Sequence, residues 1–326
     1  MTIHTRFKIL AVCLVAILAL AGTAGRELRA ETGQQKAMSP AMQNIQKLLA
    51  ESRSTSRDDQ LYAAAVALHK AIEAGQEPTQ SRDTMAKALY EVAQGGHAFA
   101  WADYGRCLWN GWGVPENREE ALAAYKRSGD LGSAEGAYIA AYNLYWTFKR
   151  YDEAYAYAQK ALRGEDPKGD LRYLLGLMAY NGRGRPKDIP ESLRLHLEAA
   201  ERGNADAYFE LFVYAMQGIG DRSKAAFYLK QAAERDQPRA CANLGALYAT
   251  GQLPGIDIDF KASVRWYKRA ADLGVGRAAA ALGVMASRGN GMPRDLVAAD
   301  AYFKRAEELH FDVDDYLQSI GLKRKM

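Results

Sequence analysis

The sequence predicts an all-α fold, a solenoid of stacked antiparallel helix pairs, on three observations. A module of about 36 residues recurs along the chain. Within it, Gly111, Gly182, Gly218, Gly251 and Gly289 each lie six residues after a slot held by Gly105, Gly176, Phe212, Gly245 and Gly283. Five residues before that slot come Ala100, Leu171, Ala207, Ala240 and Ala278. No such unit buries its apolar face alone, so the copies must stack.

The elements follow in order. Residues 1–24 read as an export signal, with Arg6 and Lys8 ahead of the apolar run 9–21 and small residues through Ala24. Cleavage is expected near Ala24, which gives a periplasmic or secreted address. An uncleaved N-terminal membrane anchor is the alternative, although the run is short for a span of about 20 residues. Cys13 does not make a lipid box, because Val12 precedes it and the apolar run continues beyond it. Residues 25–57 are polar and mixed and read as a partly disordered linker, with a short helix conceivable over 38–49.

Helix pairs are predicted over 58–96, 97–132, 133–164, 165–203, 204–236, 237–274 and 275–310, with a capping helix and basic tail over 311–326. In the first unit Ala64 and His69 take the alanine and glycine slots, and its second helix is set at 80–94. In the third, Tyr142 is assigned to the glycine slot and Phe148 to the turn. Glycines at Gly132, Gly164, Gly203 and Gly274 suit left-handed helix stops. Prolines at Pro115, Pro186 and Pro293 keep the first helix from resuming.

Ala100 … Tyr104-Gly105 … Gly111-x-Gly113-Val114-Pro115 … Ala121 … Tyr125 … Gly132 resembles the Sel-one-like repeat family, relatives of the tetratricopeptide repeats. So does Ala278 … Leu282-Gly283 … Gly289-x-Gly291-Met292-Pro293 … Ala299 … Tyr302-Phe303 … Ala306. The resemblance covers about five units well, and the first and third weakly. It implies a right-handed α-solenoid used as a protein-interaction scaffold, in bacteria with adaptor or regulatory roles in the cell envelope.

Composition narrows the function. Net charge is +4, and removing the leader leaves 41 basic against 39 acidic side chains, so a nucleic-acid footprint is absent. Cys107 and Cys241, on first helices four units apart, are expected as unbridged core residues. The histidines fall in different repeats, no His-x-x-x-His or Cys-x-x-Cys pair exists, and no cofactor or metal is implied. The Gly-x-Gly turns lack the strand and Gly-Lys-Ser/Thr of a phosphate loop. No nucleophile and base are identified within one repeat, which leaves a cell-wall hydrolase as the weakest reading.

The predicted working surface is the concave face, lined by first helices. Its candidate partner-binding residues are Phe99, Arg106, Trp109 and Asn110, then Asn143 and Trp146, then Tyr173, Tyr180 and Asn181. Phe209, Met216, Arg277 and Arg288 complete the set. Aromatic anchors beside amides suit a protein or peptide partner. A polysaccharide or peptidoglycan is the alternative, with Trp109, Trp146 and Tyr180 stacking on sugar rings. The membrane enters only through an uncleaved leader.

Overall fold

The computed structural model describes residues 38–322. The leader and the final basic residues lie outside that range. Among the described residues the chain is helical, with no strand beyond one isolated bridge between Leu253 and Ile256. The described residues divide into two compact units, 38–118 and 119–322.

The first unit holds α1 (Pro40–Ala50), α2 (Thr55–Glu73), α3 (Arg82–Gln94) and α4 (Ala98–Asn110). Residues 40–50 are no linker. Ser39 caps α1 by accepting from the Met42 amide at 3.3 Å, and Pro40 stands at its first position, where a missing N–H costs nothing. Ile45 and Leu48 then join Leu61, Leu68, Met85 and Leu89 in one core. Buried Arg57 fixes the junction: its Nε donates to the Leu48 carbonyl at 2.8 Å, and it pairs with Asp58 at 2.7 Å. The guanidinium thus satisfies carbonyls at the end of α1 that no helix turn follows. A 3-10 turn, Thr79–Ser81, precedes α3 and moves its start to Arg82.

The second unit takes α5 (Arg118–Asp130) from its second residue on, then α6 (Ala134–Trp146), α7 (Tyr151–Ala161), α8 (Asp170–Asn181), α9 (Ile189–Glu201) and α10 (Ala205–Met216). It continues through α11 (Ala225–Glu234), α12 (Pro238–Thr250), α13 (Phe260–Asp272), α14 (Gly276–Arg288), α15 (Leu296–Glu308) and α16 (Val313–Ser319). Val313 and Leu317 of α16 bury themselves against the last pair.

Complementary slots hold each pair together. The glycine slot of a first helix receives a ring from the second helix. A Cβ on Gly176 would stand 2.6 Å from the His196 ring, one on Gly245 2.9 Å from the Tyr267 ring, and one on Gly283 would overlap the Phe303 ring. Where α10 carries Phe212 instead of Gly, the ring comes from the first helix and α11 offers the smaller, ringless Leu229 opposite it. One turn before each ring, or before Leu229 in its place, comes a small residue: Ser192, Ala225, Ser263 or Ala299. The serines donate to the slot carbonyls, Ser192 to Gly176 at 2.8 Å and Ser263 to Gly245 at 2.7 Å.

This pattern corrects the third unit by one residue. Ala141 is fully buried, whereas Tyr142 is 47% exposed and cannot occupy the slot. The cap confirms the register. Ser133 caps α6 eight residues before Ala141, as Asn204 and Gln237 cap α10 and α12 eight before Phe212 and Gly245.

The second glycine joins neighbouring repeats in three of the Gly-x-Gly turns. With φ of +69°, +74° and +72°, Gly113, Gly184 and Gly291 press their backbones on the first residues of the preceding second helix. A Cβ there would overlap the carbonyls of Arg82, Tyr151 and Phe260 respectively. Gly132, Gly203 and Gly274 are left-handed stops with φ of +95°, +86° and +88°. Gly164 is not among the positive-φ residues, and its need is space, since a Cβ would overlap that of Ala134. Asp236 and His310 take the corresponding stops with φ of +60° and +57°. His310→Gly is therefore expected to stabilise the protein by about 0.5–1 kcal/mol and raise its melting temperature, because a β-carbon is unfavourable in that conformation. Thermal unfolding of the two proteins checks it.

Candidate functional site

First helices carry a continuous aromatic strip in the second unit. Along α6, Tyr138, Tyr142 and Trp146 succeed one another at single-turn spacing, with ring centres 6.2 and 6.4 Å apart. Tyr142 is 47% and Trp146 40% exposed. Tyr145 links Trp146, at 4.9 Å, to the amide of Asn181 on α8 at 3.5 Å. On α8, Tyr180 stacks on Tyr214 of α10 at 5.0 Å and donates its hydroxyl to Gln217 at 3.1 Å. Met216, 42% exposed, ends the strip.

The sequence-predicted set is divided between the two units. Phe99, Arg106, Trp109 and Asn110 belong to the first unit. There Phe99 is exposed, and Arg106 pairs with Asp103. Trp109 is half-buried under the Arg118 guanidinium at 5.3 Å, and Asn110 bonds back to the Arg106 carbonyl at 2.9 Å.

In the second unit two assignments fail. Asn143, 9% exposed, lies in the core because of the register slip, and its amide returns to Ile139 at 2.9 Å. The residues actually presented at that level are Tyr138 and Tyr142. Phe209, 2% exposed, is covered by Arg239 of the next repeat, whose guanidinium sits 4.6 Å from its ring. Tyr173 is half-buried edge-on to His196 at 5.6 Å, and burial pushes its hydroxyl pKa up. Arg277 and Arg288 are exposed on α14, two repeats beyond α10, where their charges act on Tyr316 of α16.

Charge is graded along this face. Burial raises the carboxyls of Asp170 and Glu210 above their ordinary range, and Asp206 lies close to both. Two amides tie this acidic region to the repeat joints. Asn204 caps α10 through its oxygen and donates its nitrogen to Asp170 at 2.8 Å. Gln237 does the same for α12 and Asp206, at 3.3 Å for the carboxylate. Arg239, Arg277 and Arg288 follow on the next first helices.

The Sel1 repeat family model matches residues 98–133, 171–204, 205–237, 238–275 and 276–310, more than half the chain. The chain belongs to the Sel1 repeat family. Its fold is shared with the Sel1 repeat protein from Oxalobacter formigenes, at 24% identity and TM-score 0.66 over 94% of this chain and 93% of that one. It is also similar to c5321, a protective antigen of uropathogenic Escherichia coli with an SLR fold. That match has 23% identity and TM-score 0.58, over 74% of this chain and 53% of the other. Among curated relatives, the chitin synthase regulator SKT5 of Malassezia restricta is 34% identical over 127 residues. That segment is 37% of this chain and only 9% of the much longer relative.

One buried cluster in the fourth helix pair, the Sel1 repeat over 171–204, carries the residue types of hydrolytic chemistry. Ser192 and His196 lie one turn apart on α9, with Oγ 3.3 Å from Nδ1, and the Tyr214 hydroxyl is 3.0 Å from the serine. A nucleophile and a base thus do share a repeat, contrary to the sequence reading. Both are fully buried, Ser192 donates to Gly176, and the Nδ1 edge of His196 also faces the Ser192 carbonyl at 2.8 Å. These bonds bind one helix to another and leave no path for a substrate. Burial pushes the His196 imidazole down to about 4.

Cys107 and Cys241 are buried and free, and burial raises their thiols to about 12 and about 11, so neither is a thiolate near neutrality. Among the described residues, no three His, Cys, Asp or Glu side chains converge as metal ligands, and no helix is long and apolar enough to cross a membrane.

Proposed function

We propose that this Sel1 repeat protein is a non-enzymatic scaffold of the bacterial cell envelope that holds a protein partner along its first-helix face. The leader-like N-terminus supports the address, with export to the periplasm or beyond. The binding strip consists of Tyr138, Tyr142, Trp146, Tyr180 and Met216. The observation that carries the reading is the exposure of Tyr142 and Trp146, at 47% and 40%, on a helix whose buried face is already filled by Ala137, Ala140, Ala141 and Leu144. The repeat does not need large aromatic side chains there, and exposed aromatic surface of this kind is the usual anchor of a protein interface. Asn181 and Gln217 beside it supply amides for a bound backbone. The regulatory name of the curated relative agrees with action through another protein.

A polysaccharide fits this face less well. Tyr180 has Tyr214 on one side and the Lys187 ammonium 5.5 Å from its ring, and Trp109 is shielded by Arg118. Sugar stacking needs open ring faces.

Tyr142→Ala and Trp146→Ala together are expected to weaken partner capture in the envelope at least tenfold, a loss of about 1.4 kcal/mol or more. Helical content should stay as in the parent, because neither ring is in the core. Cross-linking in intact cells, with circular dichroism of the purified variant, reads both. Undiminished capture by a folded variant removes the proposed face.

A further inference from the structure

The turns that close α6 and α8 carry a second feature next to the aromatic strip. Lys149, Arg183 and Lys187 are all exposed there, and each lies over a ring and not against a carboxylate. The Lys149 ammonium is 5.8 Å from the Trp146 ring centre, and Lys187 is 5.5 Å from that of Tyr180. The Arg183 guanidinium is 5.0 Å from Tyr151 and 5.9 Å from Tyr145. The rings join Lys149 to Arg183, since Tyr145 is 5.3 Å from Tyr151 and 4.9 Å from Trp146, and Lys187 stands in the same turn as Arg183. The other cations of the same turns are committed: Arg150 to Glu153, and Arg185 to Asp188 at 4.0 Å.

Helix chemistry alone does not require this charge. A cation near a helix C-terminus offsets its partial negative charge. Yet the equivalent turns of the second and sixth units, 111–117 and 251–259, contain no Lys or Arg, and their helices end as cleanly on Gly111 and Gly251. Cations without carboxylate partners, gathered beside exposed Trp146, are therefore available to an outside anion.

We propose that this patch binds an acidic segment of the protein partner, with Asp or Glu side chains on Lys149, Arg183 and Lys187 and an apolar neighbour on Trp146. The proposal rests on the protein-partner reading above and adds the partner's chemistry. A polypeptide is favoured over an acidic polysaccharide because the cations themselves lie over Tyr145, Tyr151, Tyr180 and Trp146. What remains open is charge and the 40% of Trp146 that stays exposed, which suits side chains and not pyranose rings.

The probe is fluorescein-labelled decaglutamate, titrated with the mature protein at low salt and followed by anisotropy. Binding is expected, weakening steeply as salt is raised. Arg183→Gln with Lys187→Gln should weaken it at least tenfold. Arg265→Gln with Lys268→Gln, an equal charge change on exposed residues of α13, should change it less than twofold. Lys149→Gln provides a second arm should the double variant lose its helical signal. No binding, equal losses in both double variants, or decagalacturonate binding as tightly as the peptide each overturn the proposal. If envelope capture is lost with Tyr142→Ala and Trp146→Ala but kept with Arg183→Gln and Lys187→Gln, the acidic segment is refuted while the scaffold stands. Capture unaffected by either set removes both.

Discussion

Gly184→Ala is expected to destabilise the second unit by about 3 kcal/mol or more. Two costs add at that position. The residue holds φ at +74°, and the new carbon would overlap the Tyr151 carbonyl oxygen, which lies in backbone at the start of α7 and cannot swing aside. The contact joins the third repeat to the fourth, so the loss should also split the unfolding transition, because nearest-neighbour interfaces carry cooperativity in a repeat array. Gly274→Ala isolates the first cost. Its φ is +88° with no atom within 4 Å of the added carbon, and about 1 kcal/mol is expected there. Urea unfolding of both variants compares them. Equal losses would show that the turn glycines serve only their dihedrals and do not dock the repeats.

The second large effect concerns acid. His196 is fully buried, burial lowers its pKa to about 4, and its Nε2 has no partner. The fold therefore holds it neutral, while the unfolded chain takes up a proton below its ordinary value of about 6.5. Stability from this group is fully present above that value and is lost as pH falls towards 4. Between pH 7.5 and 4.5 the linkage amounts to about 2.5 kcal/mol. His196→Phe should keep most of the neutral-pH stability, since Phe303 fills the same ring position two Sel1 units further on from the Phe212–Leu229 pair. It should also remove that part of the acid loss. Denaturant midpoints of parent and variant across this range give the difference. Parallel pH profiles would mean that His196 titrates normally and that the packing described around Gly176 is wrong.

What could be read from the sequence, and what could not, follows from where each signal resides. Helix pairs, turns and caps are local, and a spaced pattern of Ala, Gly and Pro reveals them. The third unit misled because Ala140, Ala141 and Tyr142 offer no glycine to fix the phase. Ser133 was the available clue, since cap-to-slot spacing is constant between repeats. That one-residue slip hid Tyr138 and Tyr142 and promoted Asn143. Phe209 could not be placed by any local rule, because Arg239 of the next repeat covers it. The helix over Pro40–Ala50 was legible at its start, where Ser39 precedes Pro40, but its anchor is Arg57, beyond its own end. The Ser192–His196 pair stands one turn apart on a single helix, so it was readable, but its burial was not. Burial depends on Gly176 and Tyr214 from other helices.

The central claim is that a protein is held on the first-helix face. A photo-activated cross-linking side chain placed at position 142 tests it most directly, with position 227 as comparison, because Phe227 is 53% exposed on the second helix α11. Irradiation in living cells should give a discrete protein adduct from position 142 and none from position 227. An adduct from position 227 alone, or none from position 142 in a folded protein, would contradict the account.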